Sequence, residues 1–174
     1  GSEMCIRDRC EQTAGCRGCT GNAGVCGKKA DTAQLQDELT GALIGLARAT
    51  EGTAVPTQTT YQVMLEGLFT TITNVSFDND AINNMMKKVR EEKEKLVQSC
   101  SRCQTPCGKN DEYDMNDLWN DNEDIRSLKS LILFGIRGMA AYAYHAKVLG
   151  YSDEEVNKFF CEALFMIGYG DSLE

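Results

Sequence analysis

Apolar residues along this chain recur at helical spacing wherever they recur at all, and no stretch sustains the alternation of period two that a half-buried strand needs. Leu35, Leu39, Leu43 and Leu46 form one such stripe, opened by Asp31 with Gln34 three residues on, the pattern of a capping box. A break from Glu51 to Pro56 ends it. Met64, Leu65, Leu68, Phe69 and Ile72 place a second helix over about 57–73, and Ile82, Met85, Met86, Val89 and Leu96 a third over about 78–99. The charged run KKVREEKEK on the third reads as a solvated face with i,i+4 pairs. After a polar insert at 100–120, a long helix is expected from about Glu123 to Leu149, with Gly150 closing it. NDNEDIR is its acidic N-terminus, where carboxylates suit the helix dipole. Ser152 with Glu155 suggests a second capping box, opening a helix that carries Val156, Phe159, Phe160, Leu164 and Ile167. The fold class is therefore all-α.

The stripes repeat. Leu35, Leu39, Leu43, Gly45, Leu46 and Ala47 align with Leu128, Ile132, Ile136, Gly138, Met139 and Ala140, and EGLF at 66–69 aligns with EALF at 162–165. Two matches in one order argue for a duplicated three-helix unit. The expected architecture is tandem three-helix bundles, the second incomplete, behind a cysteine-rich loop. Its parts are a loop over 10–30, a first bundle over 31–99, the insert over 100–120 and the start of a second bundle over 121–174. Because the second copy stops after two helices, the chain is expected to be cut short, leaving Val156, Phe159, Phe160 and Ile167 partly uncovered.

A chain of 174 residues can bury a core without disulfides, so its nine cysteines call for another explanation. Their odd number and short spacings suit metal or redox chemistry better than a secreted disulfide framework. The net charge of −8 is spread along the chain with no basic block, which argues against nucleic acid as a partner. No run of about 18 apolar residues is present to span a membrane, and the start lacks the apolar stretch of a secretory signal. A cytoplasmic setting poor in oxygen is the expectation.

The densest thiol group is CEQTAGCRGCTGNAGVCGKK, with Cys10-x8-Cys19-x6-Cys26 set among glycines and threonines. Thiolates that ligate iron need a backbone able to wrap them and to aim amides at the sulfurs, and glycines provide that freedom. By spacing alone, an iron–sulfur cluster, zinc, and reactive or disulfide-forming thiols all remain open. The segment is no phosphate cradle, lacking both a preceding strand and a GK[ST] signature. In the second group, Cys100, Cys103 and Cys107 have CxxC spacing plus one thiol, with Asp111, Asp114 or Cys161 as candidate fourth ligands. Unligated surface thiols, structural zinc and redox chemistry are the readings of that group. His145, alone of its kind, reads as an ordinary helix residue, and Met85, Met86 and Met139 as core filler.

CEQTAG…GCT…GVCGK, followed by LQDEL on a helix, resembles the N-terminus of the hybrid cluster protein family, also called prismane proteins or hydroxylamine reductases. LEGLFTTITNVSFD and NEDIRSLKSLILFGIRGMAAYAYHAKVLGY extend the resemblance over nearly all the chain from Cys10 onward. The fold of nickel carbon monoxide dehydrogenase is a more distant likeness. The resemblance implies an anaerobe's cytoplasmic oxidoreductase with a helical N-terminal domain of two three-helix bundles. It implies a [4Fe–4S] cluster, or [2Fe–2S] in some members, on N-terminal cysteines, fed by a redox partner protein. It also implies a hybrid iron–sulfur–oxygen cluster in later domains that reduces hydroxylamine to ammonia, or nitric oxide. The ligands of that second cluster would lie beyond residue 174, so no catalytic residue is expected in this chain.

In the family's motif Cys10, Cys19 and Cys26 fill three ligand places, the first place falls on Arg7, and Cys16 has no counterpart. MCIRDR is what a sequencing-library adaptor encodes in one reading frame, so residues 1–9 are expected to be a non-native start. Cys5 would then be a stray thiol, still able to reach the same metal as a fourth ligand. A zinc-stabilised helical binding module and a thiol redox sensor are the alternatives to an electron-transfer domain.

Overall fold

The computed structural model describes residues 24, 26–52, 55–72, 77–99 and 112–169, with the side chains of residues 51 and 52 excepted. Six helices and no strand occur among them: α1 (Ala30–Gly52), α2 (Gln58–Thr70), α3 (Asn79–Gln98), α4 (Met115–Trp119), α5 (Glu123–Val148) and α6 (Glu154–Gly168). The all-α expectation holds. No described helix is long and apolar enough to cross a membrane.

Local chemistry sets most helix ends. Thr57 caps α2 in a reciprocal box with Thr60, each hydroxyl accepting the other residue's backbone N–H. Asp78 caps α3 by accepting from the N–H groups of Asp80 and Ala81, and Asn122 caps α5 with Glu123 and Asp124 in its first turn. At the other end of α5, Tyr151 N–H donates to Ala146 O and Gly150 N–H to Lys147 O, both at 2.9 Å, while Gly150 takes φ +87°. That is a Schellman closure, and its left-handed residue is glycine because a Cβ would be strained there.

Two expected boxes are corrected. α1 begins at Ala30, so Asp31 lies inside the first turn; its carboxylate accepts from Thr32 N–H and, 3.2 Å away, from Asn79 Nδ2 at the start of α3. Gln34 reaches forward to Glu38 instead of back. For α6 the cap is Asp153, which accepts from the N–H groups of Glu155 and Val156, while Ser152 Oγ accepts from Asn157 Nδ2. A carboxylate beside a hydroxyl wins the cap because its hydrogen bonds to N–H groups are charge-assisted and it faces the positive end of the dipole.

α1 is the central helix: Leu39, Leu43, Ile44, Leu46 and Ala47 are fully buried. It packs most extensively against α3 and next against α6, and α2 touches α1, α3, α5 and α6. One continuous core results, running from Ile82, Val89 and Leu96 of α3 through α1 and α2 to Leu133, Ile136, Phe160 and Leu164. Phe160 and Ile167 are thus covered, contrary to expectation, because α6 lies directly on α1; Gly168 abuts Ile44, and Arg48 donates to the Gly168 carbonyl. Phe159 does remain exposed.

Within the expected polar insert, α4 is an addition. Its Met115, Leu118 and Trp119 are buried, and Trp119 Nε1 donates to the buried carboxylate of Asp37 at 3.0 Å. The charged face of α3 is not wholly solvated either. Glu92 is buried, accepting from Thr60 Oγ1 at 2.8 Å, and Arg90 makes a two-pronged pair with Glu112 at 2.6 and 2.9 Å.

Candidate metal centre

Of the first cysteine group, Cys26 is the member among the described residues; Cys5, Cys10, Cys16 and Cys19, with Arg7, lie outside them. Cys26 sits at the tip of a closed turn. Gly24 N–H donates to Lys28 O at 2.7 Å and Gly27 N–H to Gly24 O at 2.8 Å, while Gly27 adopts φ +90°. Its thiol is exposed and free, and Sγ lies 3.1 Å from where a Cβ on Gly24 would stand. A side chain at position 24 would push the sulfur aside, so the glycine keeps that side of the thiol open.

The turn feeds directly into α1, and side chains moor the junction. Lys28 is buried; its ammonium donates to Gln36 Oε1, two turns along α1, and stands 5.7 Å from the centroid of the Phe77 ring that precedes α3. Thr32 Oγ1 donates to Asn79 Oδ1 at 2.7 Å, and Asn79 Nδ2 reaches Asp31. Cys26 is therefore presented at the N-terminal end of the central helix, on a base locked to α3. The chemistry of this position suits a metal-bound thiolate: an accessible sulfur, a tightly closed turn, and the positive end of a 23-residue helix close behind. Among the described residues no group of three or more His, Cys, Asp or Glu side chains could hold a metal ion.

Cys100, Cys103, Cys107 and Asp111 also lie outside the described residues. Cys161 is buried between α6 and α2, its Sγ 3.3 Å from Met64 Sδ, and Asp114 is occupied as the cap of α4. His145 is exposed, edge-on to Phe69, whose ring stacks on Tyr144 at 4.0 Å. Met85 and Met86 are core residues as expected, but Met139 is 39% exposed. It borders an open groove of about 590 Å³ walled by Tyr61, Leu65, Tyr142 and Val156, which shares no residue with the Cys26 turn and contains no cysteine or histidine.

Sequence reasoning passed over Lys28, Gln36 and Phe77. A usable signal existed in Lys28: a cation just before a helix N-terminus opposes the dipole, so its presence there calls for a reason.

A model of the Prismane/CO dehydrogenase family matches residues 4–172. The chain is 38% identical to a hydroxylamine reductase of Methanococcus vannielii, over 91% of this chain and 32% of that protein. It is 39% identical to a hydroxylamine reductase of Clostridium perfringens, over 91% of this chain and 33% of that one, and 40% identical to one of Acetivibrio thermocellus, over 90% and 31%. The chain thus spans about a third of the length of the curated relatives it matches.

Proposed function

This chain belongs to the Prismane/CO dehydrogenase family, and on that premise we propose that it is the N-terminal iron–sulfur electron-transfer part of a longer, cytoplasmic oxidoreductase of the hydroxylamine reductase type. The observation that carries the proposal is the placement of Cys26, an exposed thiol on a closed glycine turn at the head of the central helix. Cys10, Cys19 and Cys26 would hold a [4Fe–4S] cluster, or a [2Fe–2S] cluster, with Cys5 as an ill-fitting fourth ligand where Arg7 stands. Such a cluster supplies one-electron storage and relay when bound. The chain's own residues hold it, keep Sγ of Cys26 accessible and set the charge around it. Electrons would come from a redox partner protein and pass to the remaining domains, where the hybrid cluster and the reduction of hydroxylamine or nitric oxide belong.

The outer face of α5 supports the reading that further domains complete the molecule. Leu46 in α1 is fully buried, whereas its repeat partner Met139 is 39% exposed; Leu128, Leu131 and Tyr142 continue the same uncovered stripe. Gly135 and Gly138 lie along it with open space above them. In the first copy α3 packs on α1; the second copy would receive its third helix on α5, from sequence beyond residue 174.

Anaerobic reconstitution with iron and sulfide tests the proposal. The wild-type chain is expected to turn brown and bind cluster iron, Cys26→Ser to lose most of it, and neither to reduce hydroxylamine or nitric oxide. Cys5→Ser should hold less iron than wild type; equal clusters would remove Cys5 from the ligand set. A colourless wild-type protein retaining only zinc would replace the electron-transfer reading with a zinc-stabilised module.

A further inference from the structure

Two glycines frame the Cys26 turn, and the backbone explains only one of them. Gly27 adopts φ +90°, the left-handed region in which a side chain is strained. Gly24 lies outside that region. Its N–H donates to Lys28 O and its carbonyl accepts from Gly27 N–H, but any residue other than proline supplies both groups. What sets position 24 apart is the space above it. A Cβ there would stand 3.1 Å from Cys26 Sγ, with Lys28 Cβ and the Lys28 carbonyl oxygen next at 3.5 and 3.6 Å. The last two are ordinary contact distances; only the sulfur is too close. In the metal-free protein that crowding is easily relieved. Cys26 is exposed and its thiol is free, so rotation about χ1 carries Sγ away from position 24. A sulfur bonded to a metal has no such freedom, because the bond fixes where it stands. The missing side chain therefore matters in the ligated state alone.

We propose that Gly24 is a positioning residue for the cluster: by carrying no side chain it leaves Cys26 Sγ the place it occupies in this turn, where the sulfur is held as a ligand. The inference rests on the proposed ligation by Cys26. It gives the two glycines different tasks. Gly27 shapes the turn whether or not metal is bound, whereas Gly24 acts through the bound sulfur. Gly24→Ala keeps both hydrogen bonds of the turn and restricts the unfolded chain, so nothing in the metal-free protein opposes it. Its cost falls on cluster retention, and a larger side chain increases that cost.

The test compares wild type, Gly24→Ala, Gly24→Val and Cys26→Ser after anaerobic reconstitution. Iron and sulfide are counted for each protein, and the loss of visible absorbance to an iron chelator is timed. Urea unfolding of the same proteins before reconstitution reports the metal-free fold. Gly24→Ala is expected to unfold at or slightly above the wild-type midpoint, to hold less iron and sulfide, and to lose its cluster several-fold faster. Gly24→Val should lose it faster still, the graded response of a steric effect. Wild-type cluster content and lifetime in both Gly24 variants overturn the proposal. So does a urea midpoint of metal-free Gly24→Ala that falls below wild type, because the glycine would then serve the fold. Cys26→Ser tests the premise separately. A Cys26→Ser protein that holds its cluster as well as wild type refutes ligation through Cys26, whereas one that loses it while both Gly24 variants keep theirs refutes the positioning role alone.

Discussion

Gly41 has no room for a side chain. A methyl group there would overlap the backbone carbonyl oxygen of Tyr113, whose own N–H donates to Gly41 O at 3.2 Å. Backbone cannot step aside as a flexible side chain can, so Gly41→Ala is expected to destabilise the chain by at least about 2 kcal/mol in urea unfolding. Gly135 is the opposite case, a glycine in a helix interior with nothing above it. There Gly135→Ala should stabilise the chain by roughly 0.5–1 kcal/mol, because the unfolded state loses freedom and no contact is disturbed. Both glycines look alike in the sequence; the difference lies in a strand-free segment more than seventy residues away that only the folded chain brings to Gly41. The same holds at Cys26. Its membership of a thiol group was legible in its spacing and glycines, whereas the burial of Lys28 beside it was not, since nothing local to GKK says which lysine turns inward.

At the scale of the helix, caps and charge pairs decide where elements stop and how they are joined. If Asp153 is the cap of α6, Asp153→Ala should cost about 1 kcal/mol of stability, and Ser152→Ala less; equal losses would return the cap to Ser152. The pair of Arg90 on α3 with Glu112 ahead of α4 gives a pH signature. The hydrogen bond from Arg90 holds the Glu112 carboxyl below its ordinary range, against a smaller opposing effect of partial burial. A carboxyl depressed in the folded state adds stability that is complete above its unfolded pKa and is lost as pH falls through the folded value. Glu112→Gln should therefore cost roughly 0.5–1 kcal/mol at pH 7, as for an exposed pair screened by solvent. Wild type and variant should converge as pH drops below about 4. Denaturant midpoints measured from pH 3 to 7 check both the size and the direction.

At the scale of the molecule, the exposed stripe on α5 is the face on which the remainder of the proposed longer protein would pack. Leu131 is 69% exposed. Leu131→Glu should change the stability of the 174-residue chain by no more than about 0.5 kcal/mol. In the full-length protein, where the proposed third helix covers the stripe, the same substitution should cost several-fold more and lower the yield of folded enzyme. Equal, small effects in both would leave the stripe without its proposed cover. By itself, the sequence determined the all-α class and five of the six helices among the described residues, because helical periodicity is a local property written in neighbouring turns. It also determined the resemblance that the family match bears out. The tertiary structure alone decided that α6 lies on α1 and so covers Phe160 and Ile167, that α4 closes over Asp37, that Glu92 and Lys28 are buried, and that the α5 stripe stays open. Those outcomes depend on which faces meet across long separations in the chain, and periodicity shows that a face is apolar without showing what comes to lie against it.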